Sequence, residues 1–291
     1  MTSSLENIKH ITVIGSGTMG SQIGMVSALA GFNTTIVDIS QESLDEARTM
    51  LETRMARDVE KQRRSPEEVE TAMQQLRFSL DRDTVVSTSD FIIEAAVEDI
   101  DIKRRLFSDL DEIAPPHAIL ATNSSNIVSS RIADATKRPD RVCNMHFFNP
   151  ALVMQCVEVV PHEGTSSETT ENTVALAEAM GKQVVRLNKE IPGFVANRLL
   201  NAIRQEALEL HEDGVASFQD IDAAARTALR HPMGPFELMD LVGIDVVYLI
   251  RLAEHEQTGD SNSLPHPAIR DLYEQGNFGR KTGKGWYSYA T

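Results

Sequence analysis

HITVIGSGTMG, residues 10–20, decides the fold. HITVI reads as a buried strand, GSGTMG follows at once, and a helical pattern runs from there to Ala30. Gly15, Gly17 and Gly20 form G-x-G-x-x-G. The first glycine permits a tight turn, the second lets backbone approach a pyrophosphate, and the third packs helix against strand. Free N–H groups at the helix start, from Gly15 through Ser16, Gly17, Thr18, Met19 and Gly20, suit an anion. The motif alone is weak evidence, and a glycine-rich structural turn is the other reading. A second apolar strand, TTIVD (34–38), ends on Asp38, eighteen residues beyond Gly20. A carboxylate there accepts hydrogen bonds from the adenosine ribose hydroxyls. It would repel a 2′-phosphate, and Ile39, Ser40 and Gln41 bring no arginine to neutralise one. The expected cofactor is NAD rather than NADP.

Outward from this unit, strand-like runs recur at 91–97, 118–123, 142–147, 156–160 and 183–187, with helical stretches between several of them. The alternation predicts an α/β, Rossmann-like, doubly wound and mainly parallel sheet. A charged helical excursion follows the second strand (41–76) and breaks near Ser65-Pro66. Beyond Asn188 the pattern turns all-helical, with Pro192-Gly193 at the change. Two domains are expected, 1–188 binding NAD and 189–291 all-α. Gly31 and Gly214 read as helix stops, Ser217 with Asp220 as a cap, and Pro235 as a first-turn residue.

With 291 residues the chain can bury a substantial core. It carries 28 basic against 43 acidic residues, a net charge of −15 that argues against nucleic-acid or anionic-membrane partners. No apolar run is long enough for a membrane span. MTSSLENIKH lacks the features of a signal or transit peptide. Cys143 and Cys156 lack CxxC spacing and fall in apolar strands, so they read as buried thiols, with a disulfide or catalytic thiol as the alternative. A cytoplasmic setting is expected.

His146, in MHFFNP (145–150), and Glu158, in CVEVV (156–160), flank a short stretch containing Pro150. If the flanks form a hairpin centred near Leu152, the two side chains oppose each other at about 5 Å between Cβ atoms. A carboxylate that close orients an imidazole and stabilises positive charge on it. Beside a nicotinamide, such a pair suits alcohol oxidation, with His146 exchanging the hydroxyl proton. A strand histidine in isolation is more often a satisfied core residue. No second histidine lies at ligand spacing, so no metal is expected.

GSGTMG, EAAVED (94–99), NSS (123–125), HFFNP (146–150), VEVV (157–160), PGFVANRLL (192–200) and HPMGPFELMD (231–240) resemble the L-3-hydroxyacyl-CoA dehydrogenase family, in order and over almost the whole chain. The resemblance implies reversible NAD-dependent oxidation of (S)-3-hydroxyacyl-CoA to 3-oxoacyl-CoA. By resemblance His146 is the general base, Glu158 its orienting partner, Ser125 a contact near the reacting hydroxyl, and Asn197 a holder of substrate oxygen. Glu98, Lys103, Asn149 and Lys281 match residues lining the NAD site. Plainer readings stand beside these. Ser125 can cap a helix, Asn197 can bond backbone, Lys103 can be a solvated charge, and Lys281 can belong to a basic tail.

The family's helical arm contacts CoA through a serine and a lysine. By spacing from Asp38 these positions hold Arg54 and Lys61, so the lysine matches and the serine departs. An ordinary solvated face is the alternative, since Glu52, Asp58 and Glu60 interleave with the basic residues. The resemblance also implies a homodimer through the helical domain. Two rival functions remain at this level: a dehydrogenase of a non-CoA hydroxy acid or aromatic alcohol on the same fold, and a non-catalytic NAD-binding protein.

Overall fold

The computed structural model describes residues 4–259 and 261–289. The first strand, β1 (His10–Ile14), leads into α1 (Thr18–Leu29), β2 (Asn33–Val37), the long α2 (Gln41–Glu60), α3 (Pro66–Gln75) and β3 (Leu76–Ser79). Then come α4 (Arg82–Val86), β4 (Phe91–Glu94), α5 (Ile100–Ile113), β5 (Ile119–Thr122), α6 (Ser130–Ala133) and β6 (Val142–Phe147). β7 (Cys156–Pro161), α7 (Ser167–Ala179) and β8 (Gln183–Arg186) complete an eight-stranded sheet of order β3-β2-β1-β4-β5-β6-β7-β8. Every pairing is parallel except β6 with β7, which is antiparallel.

Both faces of the sheet are covered, and strand alternation shows it. Ile11 and Val13, Phe91 and Ile93, Ile119 and Ala121, and Cys143 and Met145 enter one core, which α1 and α7 cover, with α2 packed against α1. Ile14, Ile92, Leu120 and Val142 enter a second, with Phe107 and Leu110 of α5. Two-sided burial is why these strands read as apolar runs rather than as alternating ones. The excursion folds as α2 and α3, and the break falls where Ser65 accepts from the Glu68 N–H while Glu68 accepts from the Ser65 N–H. α2 turns Leu44, Ala47, Leu51 and Met55 inward at helical spacing.

Two elements depart from the sequence expectation. β3 is four residues long, carries Arg77 and Ser79, and forms the sheet edge beside β2, so it lacks the apolar signature of the inner strands. β4 stops at Glu94 instead of running to residue 97, because Ala95 and Ala96 turn beneath Gly15.

The chain divides into two compact units between Val195 and Ala196, seven residues beyond the expected join. Residues 189–195 stay with the first unit because Phe194, fully buried, packs with Val128, Val160 and Leu187. The second unit holds α8 (Ala196–Glu212), α9 (Phe218–Thr227), α10 (Pro235–Val242), α11 (Ile244–Thr258) and α12 (Pro267–Glu274) around Phe236, Met239, Ile244 and Ile269. Two buried acids organise it. Asp222 accepts from the N–H groups of Phe236 and Glu237, capping α10, and from the Tyr287 hydroxyl. Asp240 accepts from the N–H groups of Trp286 and Tyr287 and from the Tyr289 hydroxyl. Gly279 (φ +88°) lies against Asp240 backbone where no side chain would fit.

Leu51→Ala should lower the stability of the first unit by about 2–5 kcal/mol, since Leu51 is fully buried on the face of α2 that packs against α1 and α3. The neighbouring exposed Glu52→Ala should change it by less than about 0.5 kcal/mol. Urea unfolding of both variants measures the difference.

Candidate functional site

The strand order reverses between β1 and β4, and ligands of open α/β sheets bind at such a switch point. A cavity of about 830 Å³ lies there, lined by Gly15, Ser16, Gly17, Thr18 and Asp38, with Ile39, Met50, Leu80 and Leu106 as an apolar wall. Gly15 has φ +103° and sits against the Ala95 carbonyl, and a methyl on Gly20 would run into the Gly15 carbonyl. Gly17 faces open space and heads α1 with no side-chain cap, so the first-turn N–H groups are available to an anion. Met19 instead packs on the core. Asp38 accepts from the Ser16 N–H (2.7 Å) and hydroxyl (2.8 Å) and from the Ser40 N–H (3.1 Å). A phosphate bridge over free amides, a carboxylate at the next strand end and an apolar slot match the parts of a dinucleotide.

At the other side of the sheet, β6 and β7 pair with His146 directly opposite Glu158. Nδ1 of His146 is 2.9 Å from Oε2 of Glu158, and Oε1 accepts from the Val195 N–H at 2.9 Å. Glu158 is fully buried and the His146 side chain is 7% exposed. A carboxylate only accepts, so Nδ1 carries the hydrogen of this bond and Nε2 is the nitrogen that remains for a further partner. The rings of Phe148 (4.5 Å) and Phe194 (5.5 Å) flank the imidazole. The turn between the strands is pinned from both sides. Lys182 donates to the carbonyls of Ala151 (2.6 Å) and Met154 (2.9 Å), and Gln22 of α1 accepts from the Leu152 N–H (3.3 Å). Burial, then the nearby charge of Arg64, holds the Lys182 amine below its usual pKa. Asn149 is exposed on this turn.

Ser125 and Glu98 belong to loops that follow β5 and β4. No helix starts at Ser125; the loop is instead bonded through Ser124, whose hydroxyl accepts from the N–H groups of Asn126 (3.3 Å) and Ile127 (2.8 Å) and donates to Glu98. Ser125 makes no side-chain hydrogen bond among the described residues. Lys103 is not a solvated charge. It is 1% exposed, 2.5 Å from Glu94 and 3.5 Å from Glu98, while Glu94 also accepts from the Thr122 hydroxyl (2.6 Å) and the Ala96 N–H (2.7 Å). Glu94, in EAAVED, carries no signal of a role in the sequence; the buried lysine beside it reveals one. Phe148 and Phe194 belong to HFFNP and PGFVANRLL, whereas Lys182 and Asn144 stand outside any motif and carry no sequence signal of their contacts.

The remaining expected residues belong to the second unit and to α2. Asn197 is half-buried in the first turn of α8, in the second unit. Lys281 belongs to the same unit, in a folded turn rather than a tail, 2.5 Å from Asp245 and over the Phe278 ring. On α2, Arg54 pairs with Asp58 at 3.2 Å, and Lys61 caps the helix end, exposed. Burial raises the Cys143 thiol to about 11, and burial followed by the Glu158 charge raises Cys156, so both are poor nucleophiles.

The fold, the glycine loop and the Asp38 strand end define an NAD-dependent dehydrogenase. Residues 10–191 match the family described as "3-hydroxyacyl-CoA dehydrogenase, NAD binding domain" and residues 193–289 the one described as "3-hydroxyacyl-CoA dehydrogenase, C-terminal domain". A Bacillus subtilis protein, "Probable 3-hydroxybutyryl-CoA dehydrogenase", is 40% identical over 97% of this chain and 98% of its own. The crystal structure of an (S)-3-hydroxybutyryl-CoA dehydrogenase from Ralstonia eutropha superposes with a TM-score of 0.89 at 32% identity, covering 98% of this chain and 100% of that one. A diketoreductase structure, described as acting on dicarbonyl compounds, gives 0.86 at 33% identity over 97% and 99%. The chain belongs to the 3-hydroxyacyl-CoA dehydrogenase family.

Asp38 yields a pH prediction. Burial pushes its carboxyl up, but hydrogen bonds from the Ser16 N–H and hydroxyl and from the backbone of Ser40 and Ile39 outweigh this and hold it below 3.8. A depressed folded-state value stabilises above the unfolded value and is lost as pH falls through the folded one. Asp38→Asn should therefore melt below the wild type at pH 5–7, with the gap closing as pH drops under 3.8. Paired thermal melts across that range check it, and a gap independent of pH would contradict the assignment.

Proposed function

We propose that the chain interconverts (S)-3-hydroxyacyl-CoA and 3-oxoacyl-CoA, with His146 as the acid–base group. The carrying observation is the buried pairing of Nδ1 with Glu158, which leaves Nε2 free to take a proton. NAD, bound along Gly15–Gly20 and Asp38, supplies the hydride acceptor. In the oxidative direction Nε2 accepts the hydroxyl proton, and the imidazolium formed is stabilised by Glu158. In reduction the proton returns by the same route. Ser125, with its hydroxyl uncommitted, and Asn197 are assigned to the substrate oxygen, where donors steady developing negative charge. Glu98, Lys103, Asn149 and Lys281 are assigned to the cofactor side.

Lys61 is assigned to the CoA phosphates. It and Arg57, one turn earlier, form no ion pair among the described residues, whereas Arg54 is oriented by Asp58. The likeness to the diketoreductase supports a second reading, in which a dicarbonyl or hydroxy acid without CoA is turned over. Acetoacetyl-CoA assayed against the free 3-oxo acid separates the two. We assign the protein to the cytosol, where its free thiols Cys143 and Cys156 stay reduced.

His146→Gln should lower turnover of acetoacetyl-CoA by about 10²–10⁴ while NADH affinity stays unchanged. Unchanged turnover would remove His146 from the reaction. NADH should also outperform NADPH in kcat/KM, and equal or better use of NADPH would refute the Asp38 assignment.

A homodimer through the second unit is the proposed assembly. Its support is the exposed apolar surface on α8, α10 and α11, including Leu199 (61%), Leu241 (48%) and Leu249 (51%). Sedimentation equilibrium at micromolar concentration should give twice the chain mass, and a monomer mass would reject the assignment.

A further inference from the structure

β6 carries a second polar side chain that the proposed reaction does not use. Asn144 is fully buried, two residues before His146, and both therefore point to the same face of the strand about 7 Å apart along it. Its Oδ1 accepts from the Ser129 N–H at 2.7 Å, and its Nδ2 donates to the carbonyls of Ser124 (3.2 Å) and Ile127 (3.0 Å). One amide thus holds the loop that follows β5 at both ends and in its middle. Ser125 lies inside the span it fixes.

The chemistry selects asparagine. The loop offers one donor and two acceptors, and an amide presents the complementary set in one rigid plane. An aspartate of the same shape would set a carboxylate against two carbonyls. An aliphatic side chain would strand three buried backbone groups without partners. Ser124 completes the loop through Ile127, Asn126 and Glu98, and the Ser124 N–H donates to Thr122 at 3.1 Å. Every fixed point of the loop lies around Ser125, whose own hydroxyl is left uncommitted.

We propose that Asn144 is a positioning residue that sets the distance between the Ser125 hydroxyl and the His146 imidazole, so that one substrate oxygen meets both. The proposal rests on the assignment of Ser125 and His146 to that oxygen. The two groups are then registered through one side chain on the strand that bears the base, rather than through the loop's own stiffness.

A double-mutant cycle in the full chain tests it, with acetoacetyl-CoA reduction, NADH binding and amide exchange measured for Asn144→Ser, Ser125→Ala and the pair. Asn144→Ser should cut kcat/KM roughly ten- to a hundredfold, with NADH affinity within about twofold of wild type. Exchange should quicken at 124–129 and not in β6. In the Asn144→Ser background, Ser125→Ala should cost less than about threefold, because the hydroxyl is already misplaced. Losses that multiply, a Ser125→Ala variant with full activity, or an Asn144→Ser variant within about twofold of wild type would each overturn the proposal. If Asn144→Ser does not fold, the isosteric Asn144→Asp is read in the same cycle. A wild type that uses the free 3-oxo acid is tested on that substrate instead. A wild type that reduces neither substrate rejects the functional reading itself, and the positioning role falls with it.

Discussion

The antiparallel pairing of β6 with β7 is the constraint on which the site depends. In a sheet otherwise built of parallel strands, it alone lets two nearby segments of chain face each other residue for residue. That register puts His146 opposite Glu158 on the face shared with Asn144, where a continued apolar core would otherwise form. Burying a carboxylate is expensive unless it is paired and hydrogen-bonded. Glu158 meets both conditions through His146 and the Val195 N–H. Slipping β7 by one residue against β6 would turn Glu158 to the opposite face, away from His146. The pinned turn, held by Lys182 and Gln22, opposes such a slip.

The rest of the first unit's polar interior radiates from the ends of β4, β5 and β6. Glu94, Lys103 and Thr122 form one buried cluster; Ser124, Glu98 and Asn126 form the next; Asn144 links the second to the strand that carries His146. Gln22 ties the helix of the glycine motif to the β6–β7 turn. The glycine loop's helix and the strand pair that carries His146 and Glu158 are therefore joined through side chains as well as through the sheet.

Much of this was legible in the residues. The strand before Gly15, the helix after it and Asp38 beyond specify a dinucleotide unit because each part is local in sequence. The twelve-residue spacing from His146 to Glu158 fixed a hairpin centre at Leu152, and the structure pairs them in that register. What escaped is non-local. β3 is short and polar because an edge strand need not be apolar on both sides. Lys103 looks like a helix-surface charge until Glu94, from a different strand, is seen beside it. Asn144 is one polar letter in an apolar strand, and its meaning lies in three backbone groups fifteen to twenty residues upstream. The end of the first unit fell at Val195 because Phe194 is anchored by burial, which a Pro-Gly signal does not report.

The acids of the second unit carry a consequence for biosynthesis. Asp222 and Asp240 emerge long before Trp286, Tyr287 and Tyr289, the groups that satisfy them. Until these three residues leave the ribosome, two carboxylates destined for full burial lack several of their donors. The first unit, with its own cores and all its sheet strands encoded before residue 187, can fold while synthesis continues. The helical unit cannot satisfy its two buried acids until residues 286–289 have been made, so a chain stopped short of them would present a finished nucleotide fold joined to an unfinished second unit.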